Sequence, residues 1–207
     1  DITQAPGMEA DAIRVAGHAV ADAARAAVLP YFRTSGLGAD NKMSDGSFDP
    51  VTEADRAAET VMRSVLADLR PDDGILGEEY GAQAGRSGLT WVLDPIDGTR
   101  AFLSGAPTWG VLIALSDETG PIYGIIDQPY IGERFEGGLG RAALAGPRGT
   151  MPLRVRGDRP LADSILFTTF PEVGTPDEQA GFAEVTRCVK LTRYGLDCYA
   201  YAMLAAG

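Results

Sequence analysis

A chain of 207 residues, 45% apolar and 23% charged, carries enough apolar material for one large core or two small ones and is neither a disordered tail nor a fibrous repeat. Its formal net charge of −11 argues against nucleic-acid binding, which calls for a basic face. No run of about 18 apolar residues and no basic-then-apolar leader occurs, so no membrane span and no secretion signal are expected. The two cysteines, Cys188 and Cys198, lack a CxxC spacing. They suit a reducing cytoplasm, as small buried apolar residues rather than a disulfide.

Glu9 to Phe32 reads as a helix, with Ile13, Ala16, Val20, Ala23, Ala27 and Tyr31 near one face and Pro30 marking its end. The single histidine, His18, lies on this alanine-rich stretch, far from every acidic cluster, so a Ser-His-Asp mechanism is not expected. Residues 34–48 are rich in Gly, Ser and Asp and read as a loop. Thr52 then offers an N-cap, with Asp55 reaching back as the capping-box acid. The helix it opens places Ala58, Val61, Met62, Val65 and Leu69 on one side and stops before Pro71.

Ile75-Leu76 leads a short strand into Glu78, and Trp91 to Leu93 forms a second that ends at Asp94. Trp109 to Leu115, Ile122 to Ile126 and Arg134-Phe135 follow as strands, and the glycine-heavy 137–149 holds a turn and an edge strand. Ser164 to Thr169 is a strand, Asp177 to Val189 a helix, Val189 to Arg193 a strand, and Asp197 to Ala206 a helix. There is no internal repeat. Long antiparallel runs flanked by helices imply an α+β fold in layers.

The chemistry gathers in three acidic segments. In Asp94-Pro95-Ile96-Asp97-Gly98-Thr99 two carboxylates lie three apart, and Gly98 permits an unusual backbone angle. Carboxylates held that close repel unless a cation neutralises them. Gly77-Glu78-Glu79 and Val51-Thr52-Glu53-Ala54-Asp55 supply further acids, and an oxygen-rich set of this kind suits a hard divalent cation such as Mg²⁺. Glu79 reads as a neighbour that points away or bonds locally.

These three segments, in this order and spacing, resemble the signature of the inositol monophosphatase-type family of Mg²⁺-dependent, lithium-sensitive phosphatases. The resemblance implies a layered α/β/α/β/α sandwich of the inositol monophosphatase and sugar phosphatase type, a homodimer, and two subdomains. These are a metal-binding part over residues 1–150 and a substrate-facing part over 151–207. It implies two or three Mg²⁺ ions. Glu78, Asp94 and the backbone carbonyl of Ile96 would hold one, while Asp94 and Asp97 contribute to the second. It implies a catalytic set of Glu78, Thr99 and Asp55, in which Thr99 takes a proton from the attacking water with the Asp55 carboxylate behind it. A hydroxyl is no base by itself near neutrality, so that partner is required. Gly98 and Thr99 would offer backbone N–H groups to phosphate.

Substrate contacts are expected from Arg193, Gly195 and Asp197. An acid at Asp197, together with Arg100-Ala101-Phe102 and Gln128-Pro129-Tyr130, is similar to the histidinol-phosphatase branch and would favour a cationic alcohol. Asp197 as a helix cap is the competing assignment. Within the class, inositol monophosphate and a nucleotide 3′-phosphate are the alternative substrates. A non-catalytic domain that binds metal or phosphate is the alternative of another class. The family's second signature, a Trp- or Tyr-Asp followed by small residues, has no counterpart here; Ala205-Ala206-Gly207 echoes only its tail. The chain accordingly reads as truncated at its C-terminus.

Overall fold

The structure, a computed structural model, describes residues 6–34 and 52–207. The loop expected beyond Thr34 and the capping side chain of Thr52 lie outside the described residues.

Helix α1 (Pro6–Val28) ends in a 3-10 turn, Leu29–Tyr31, because Pro30 has no N–H with which to continue the ladder. It buries Ile13, Ala16, Val20, Ala24 and Val28 at spacings of three and four. The expected stripe through Ala23, Ala27 and Tyr31 is rotated by one position, and those three are only half-buried. Helix α2 (Thr52–Leu69) buries Ala54, Ala58, Met62 and Leu66, a strict i, i+4 row, with Asp55 and Glu59 on the row beside it. Leu69, expected on the inner side, is 47% exposed. The row therefore passes through Leu66 instead.

The two helices pack on each other and against one face of a mixed sheet of eight strands. These are β1 (Gly74–Gly77), β2 (Gly81–Gln83), β3 (Thr90–Asp97), β4 (Gly110–Asp117), β5 (Gly120–Gln128), β6 (Glu133–Gly138), β7 (Arg141–Gly146) and β8 (Gly149–Pro152). Their order is β2-β1-β3-β4-β5-β6-β7-β8; β1 and β3 run parallel and every other neighbouring pair is antiparallel. Trp91, Leu93, Ile113, Leu115 and Ile125 turn toward the helices and close the core with Met62 and Val20. Each such side chain, fully removed from water, contributes roughly 1.5–3 kcal/mol. The strand expected to end at Asp94 runs on through Pro95 to Asp97, β2 is an addition, and 137–149 contributes to β6, β7 and β8.

His18 is not remote from acidic groups once the chain folds. Arg134 Nη1 donates to His18 Nδ1 at 3.0 Å, so the ring proton sits on Nε2 and is donated to Glu136 at 2.9 Å. Arg134 and Arg25 together hold the fully buried Asp127.

After the short helix α3 (Thr99–Ser104) and the antiparallel strands, β9 (Ile165–Thr168), α4 (Pro176–Cys188) and β10 (Leu191–Tyr194) form a parallel crossover unit. A reciprocal Thr175–Glu178 capping box starts α4. No residue of α4 is buried, and its Cys188 is exposed rather than inside; Cys198 is buried as expected. Helix α5 (Asp197–Ala206) lies between the two sheets, touching β5 on one side and β9 on the other. Among the described residues no helix is long and apolar enough to cross a membrane.

Met62→Ala should destabilise the protein by about 2–5 kcal/mol, because a fully buried side chain leaves a cavity. Leu69→Ala should change stability by no more than about 0.5 kcal/mol. Chemical denaturation of the two variants beside the wild type checks both.

Candidate active site

Strand register brings the first two acids together. Parallel β1 and β3 set Gly77 beside Leu93, and parallel neighbours face the same side. Glu78, the first residue past β1, therefore comes beside Asp94, which continues β3. The Glu78 N–H donates to the Leu93 carbonyl at 3.3 Å and ties the turn to the strand.

Asp94 and Asp97, three apart, would face opposite sides of a regular strand. Asp94 lies opposite Leu112, but Asp97 lies opposite Gly110, so β3 carries one extra residue between them. That bulge rotates Asp97 back onto the side of Asp94. Pro95 falls inside it, at a place where no ladder donor is required.

Gly98 then turns the chain into α3 with φ +84, as its identity suggested. A Cβ there would lie 2.9 Å from the Asp197 Cβ, so the two segments meet in direct contact. Asp197 itself has φ +46. The following N–H, that of Cys198 at the start of α5, donates to Asp97 Oδ2 at 2.7 Å.

The electrostatics follow from this crowding. Burial first, then the charges of Glu78 and Asp97, push the Asp94 carboxyl up to about 7, while the Ile96 N–H opposes the rise. Asp94 Oδ1 is buried without a hydrogen-bond partner among the described residues. Burial and Asp97 also raise the Asp197 carboxyl, with Arg100 opposing. Burial, with the neighbouring Asp97, pushes the Cys198 thiol far up, so it is no nucleophile.

Among the described residues no three acidic, histidine or cysteine side chains surround a common point as a finished cage. The orphaned oxygen of Asp94 and the neighbouring acids nonetheless fit a hard divalent cation.

Thr99 opens α3 with its hydroxyl 3.5 Å from the Ile96 carbonyl. Asp55, 9% exposed, lies in the first turn of α2 between Ala54 and Ala58, which pack with Ile96 and Phe102. Gly195 donates to the Thr169 carbonyl at 2.8 Å, and its own carbonyl accepts from Thr108. Arg193 is exposed on β10. A cavity of about 910 Å³ has Asp94, Asp97 and Asp197 among its lining residues, with Leu112, Ile126 and Tyr201 on its apolar walls. Arg193, Gly195 and Thr99 are not among its lining residues.

Two groups at the site carry no motif of their own, the Cys198 N–H and Glu59, a fully buried carboxylate; Arg100, of the Arg100-Ala101-Phe102 segment, sets its guanidinium 5.3 Å from the Phe170 ring centre. The signal for Glu59 is its place four residues after Asp55, an acid next to a buried helical row.

The model of the inositol monophosphatase family matches residues 9–207. The chain is 37% identical over 201 residues to the bifunctional phosphatase IMPL2 of Arabidopsis thaliana, which covers 96% of this chain and 56% of that protein. It is 36% identical to the histidinol-phosphatase of Streptomyces coelicolor, over 95% of this chain and 75% of the relative. An inositol monophosphatase structure from Zymomonas mobilis superposes with a TM-score of 0.81 at 36% identity, covering 96% of this chain and 74% of that one.

The Asp94 carboxyl holds its proton up to about pH 7 when folded, but only to about pH 4 when unfolded. The folded state thus binds more protons between those values, and stability falls as pH rises through them. In chelator, the melting temperature should drop between roughly pH 5 and 8 more in the wild type than in Asp94→Asn. Added Mg²⁺ should restore it most at the high-pH end; thermal melts across that range read both effects.

Proposed function

The chain belongs to the inositol monophosphatase family, and on that premise we propose that it hydrolyses a small phosphate monoester with the help of two or three Mg²⁺ ions. The convergence of Glu78, Asp94 and Asp97 through one parallel register and one bulge carries this reading. Glu78, Asp94 and the Ile96 carbonyl would hold one ion, and Asp94 with Asp97 a second. When bound, such ions supply positive charge to phosphate oxygens and make water more acidic.

The remaining work falls to side chains and backbone. Thr99 accepts a proton from the attacking water as Asp55 relieves the hydroxyl of its own. The N–H groups of Gly98 and Thr99 hold phosphate oxygens. Helix α3 is too short for much dipole, so this contribution is one of direct hydrogen bonds. The high-lying Cys198 thiol disfavours a covalent phosphoenzyme at the one buried cysteine beside the acids.

The leaving alcohol faces Asp197, which sits on Gly98 at the rim of the acids. An anionic side chain there favours an alcohol carrying a positive charge, and histidinol phosphate is the substrate we assign. The likeness to a histidinol-phosphatase and to an inositol monophosphatase at the same 36% identity keeps inositol monophosphate as the second reading.

Turnover should be compared on histidinol phosphate, inositol 1-phosphate and a nucleotide 3′-phosphate with Mg²⁺ present. Asp94→Asn should abolish hydrolysis of all three. Asp197→Asn, which tolerates the same backbone, should lower kcat/KM about 10–100-fold on histidinol phosphate and leave the neutral alcohols unchanged. Equal loss on every substrate would make Asp197 a helix-start residue and remove the substrate assignment.

A further inference from the structure

The turn that delivers Glu78 is held from beneath by one side chain. Glu59, 0% exposed, reaches from α2 under Gly77–Tyr80. Its Oε2 accepts the Glu79 N–H at 2.7 Å, and its Oε1 accepts the Tyr80 N–H at 3.2 Å. Oε1 also takes the Arg63 Nε–H at 2.7 Å. A Cβ on Gly77 would lie 1.9 Å from that oxygen, so the carboxylate fits only because residue 77 has no side chain. Arg63 extends the grip by donating to the Gly81 carbonyl, and Arg56 pairs with Glu79 at 3.3 Å. Four residues N-terminal to Glu59, on the same helix face, stands Asp55.

We propose that Glu59 is a positioning residue for the candidate metal ligand Glu78, and that α2 thereby holds both the turn bearing that ligand and Asp55 on one rigid element. This rests on the Mg²⁺-phosphatase reading above. A carboxylate that accepts two successive backbone N–H groups fixes the direction in which the preceding residue leaves the strand. Glu78, itself exposed, has few restraints of its own beyond the 3.3 Å tie to Leu93. Arg63 supplies the opposite charge, so the grip adds no net negative charge beside Asp94. Groups that orient metal ligands from behind typically change metal affinity 10–100-fold when removed. A glutamine at 59 keeps the volume but offers one acceptor oxygen, and its NH₂ would face an N–H donor.

The test is Mg²⁺ binding to the full chain by calorimetry, with thermal melts in chelator run alongside. Glu59→Gln should bind Mg²⁺ about 10–100-fold more weakly. Its kcat should return toward the wild-type value at saturating Mg²⁺, a split that simple loss of stability would not give. Arg63→Gln, at a less buried position, should weaken binding in the same direction by several-fold, and it decides the matter if Glu59→Gln fails to fold. Wild-type Mg²⁺ affinity in a folded Glu59→Gln, or in Arg63→Gln where that variant must decide, overturns the proposal even if the melting temperature falls. A wild-type chain that takes up no Mg²⁺ overturns the underlying reading and this inference with it, which separates the two failures.

Discussion

Three like charges confined to one small volume are the constraint that the rest of the molecule answers. Left alone, Glu78, Asp94 and Asp97 would move apart; burial first, and the charges of the other two second, raise the Asp94 carboxyl. Several separate devices do the preventing. The parallel pairing of β1 with β3 fixes two of them side by side, and the bulge turns the third inward. Behind them, the wall of Trp91, Leu93 and Met62 pins β3 to the helices, so the strand has no freedom to relax. Part of the core's stabilisation offsets a local electrostatic cost of this kind.

Helix α5 connects the acids to the other end of the chain. Near its start, the Cys198 N–H donates to Asp97 Oδ2 at 2.7 Å. The same helix fills the gap between the two sheets through Cys198 and Ala202. The β9-α4-β10 unit, whose helix buries no residue, reaches the site through Thr169 and Phe170 just after β9, through the turn at Gly195 and through α5. Changes in that unit can therefore alter the surroundings of the acids without touching the residues that carry the charge.

Much of this could be read from residue types, and the failures have a common cause. Asp94-Pro95-Ile96-Asp97-Gly98-Thr99 was legible because its glycine and proline restrict the backbone locally and its acids have few structural uses at that spacing. Gly98 adopts the positive φ that its identity implies. Pro95 misled, because a proline ends a strand unless a bulge excuses its missing N–H, and a bulge depends on the partner strand. His18 looked isolated because its partners, Glu136 and Arg134, lie more than a hundred residues away. Glu59 hides for the same reason: nothing near it in sequence announces the two N–H groups it accepts. Leu69 and Cys188 failed differently. An apolar residue at a helix end is often beyond the edge of what the helix covers.

The left-handed backbone of Asp197 limits how the rim of the site can diversify. Most side chains resist φ near +46, whereas glycine, asparagine and aspartate accept it readily. The pocket wall against Gly98 can thus be anionic, neutral and polar, or bare with little strain, but a bulky or branched group would have to remodel the entry to α5 first. Each of those three residues would present a different surface beside Gly98.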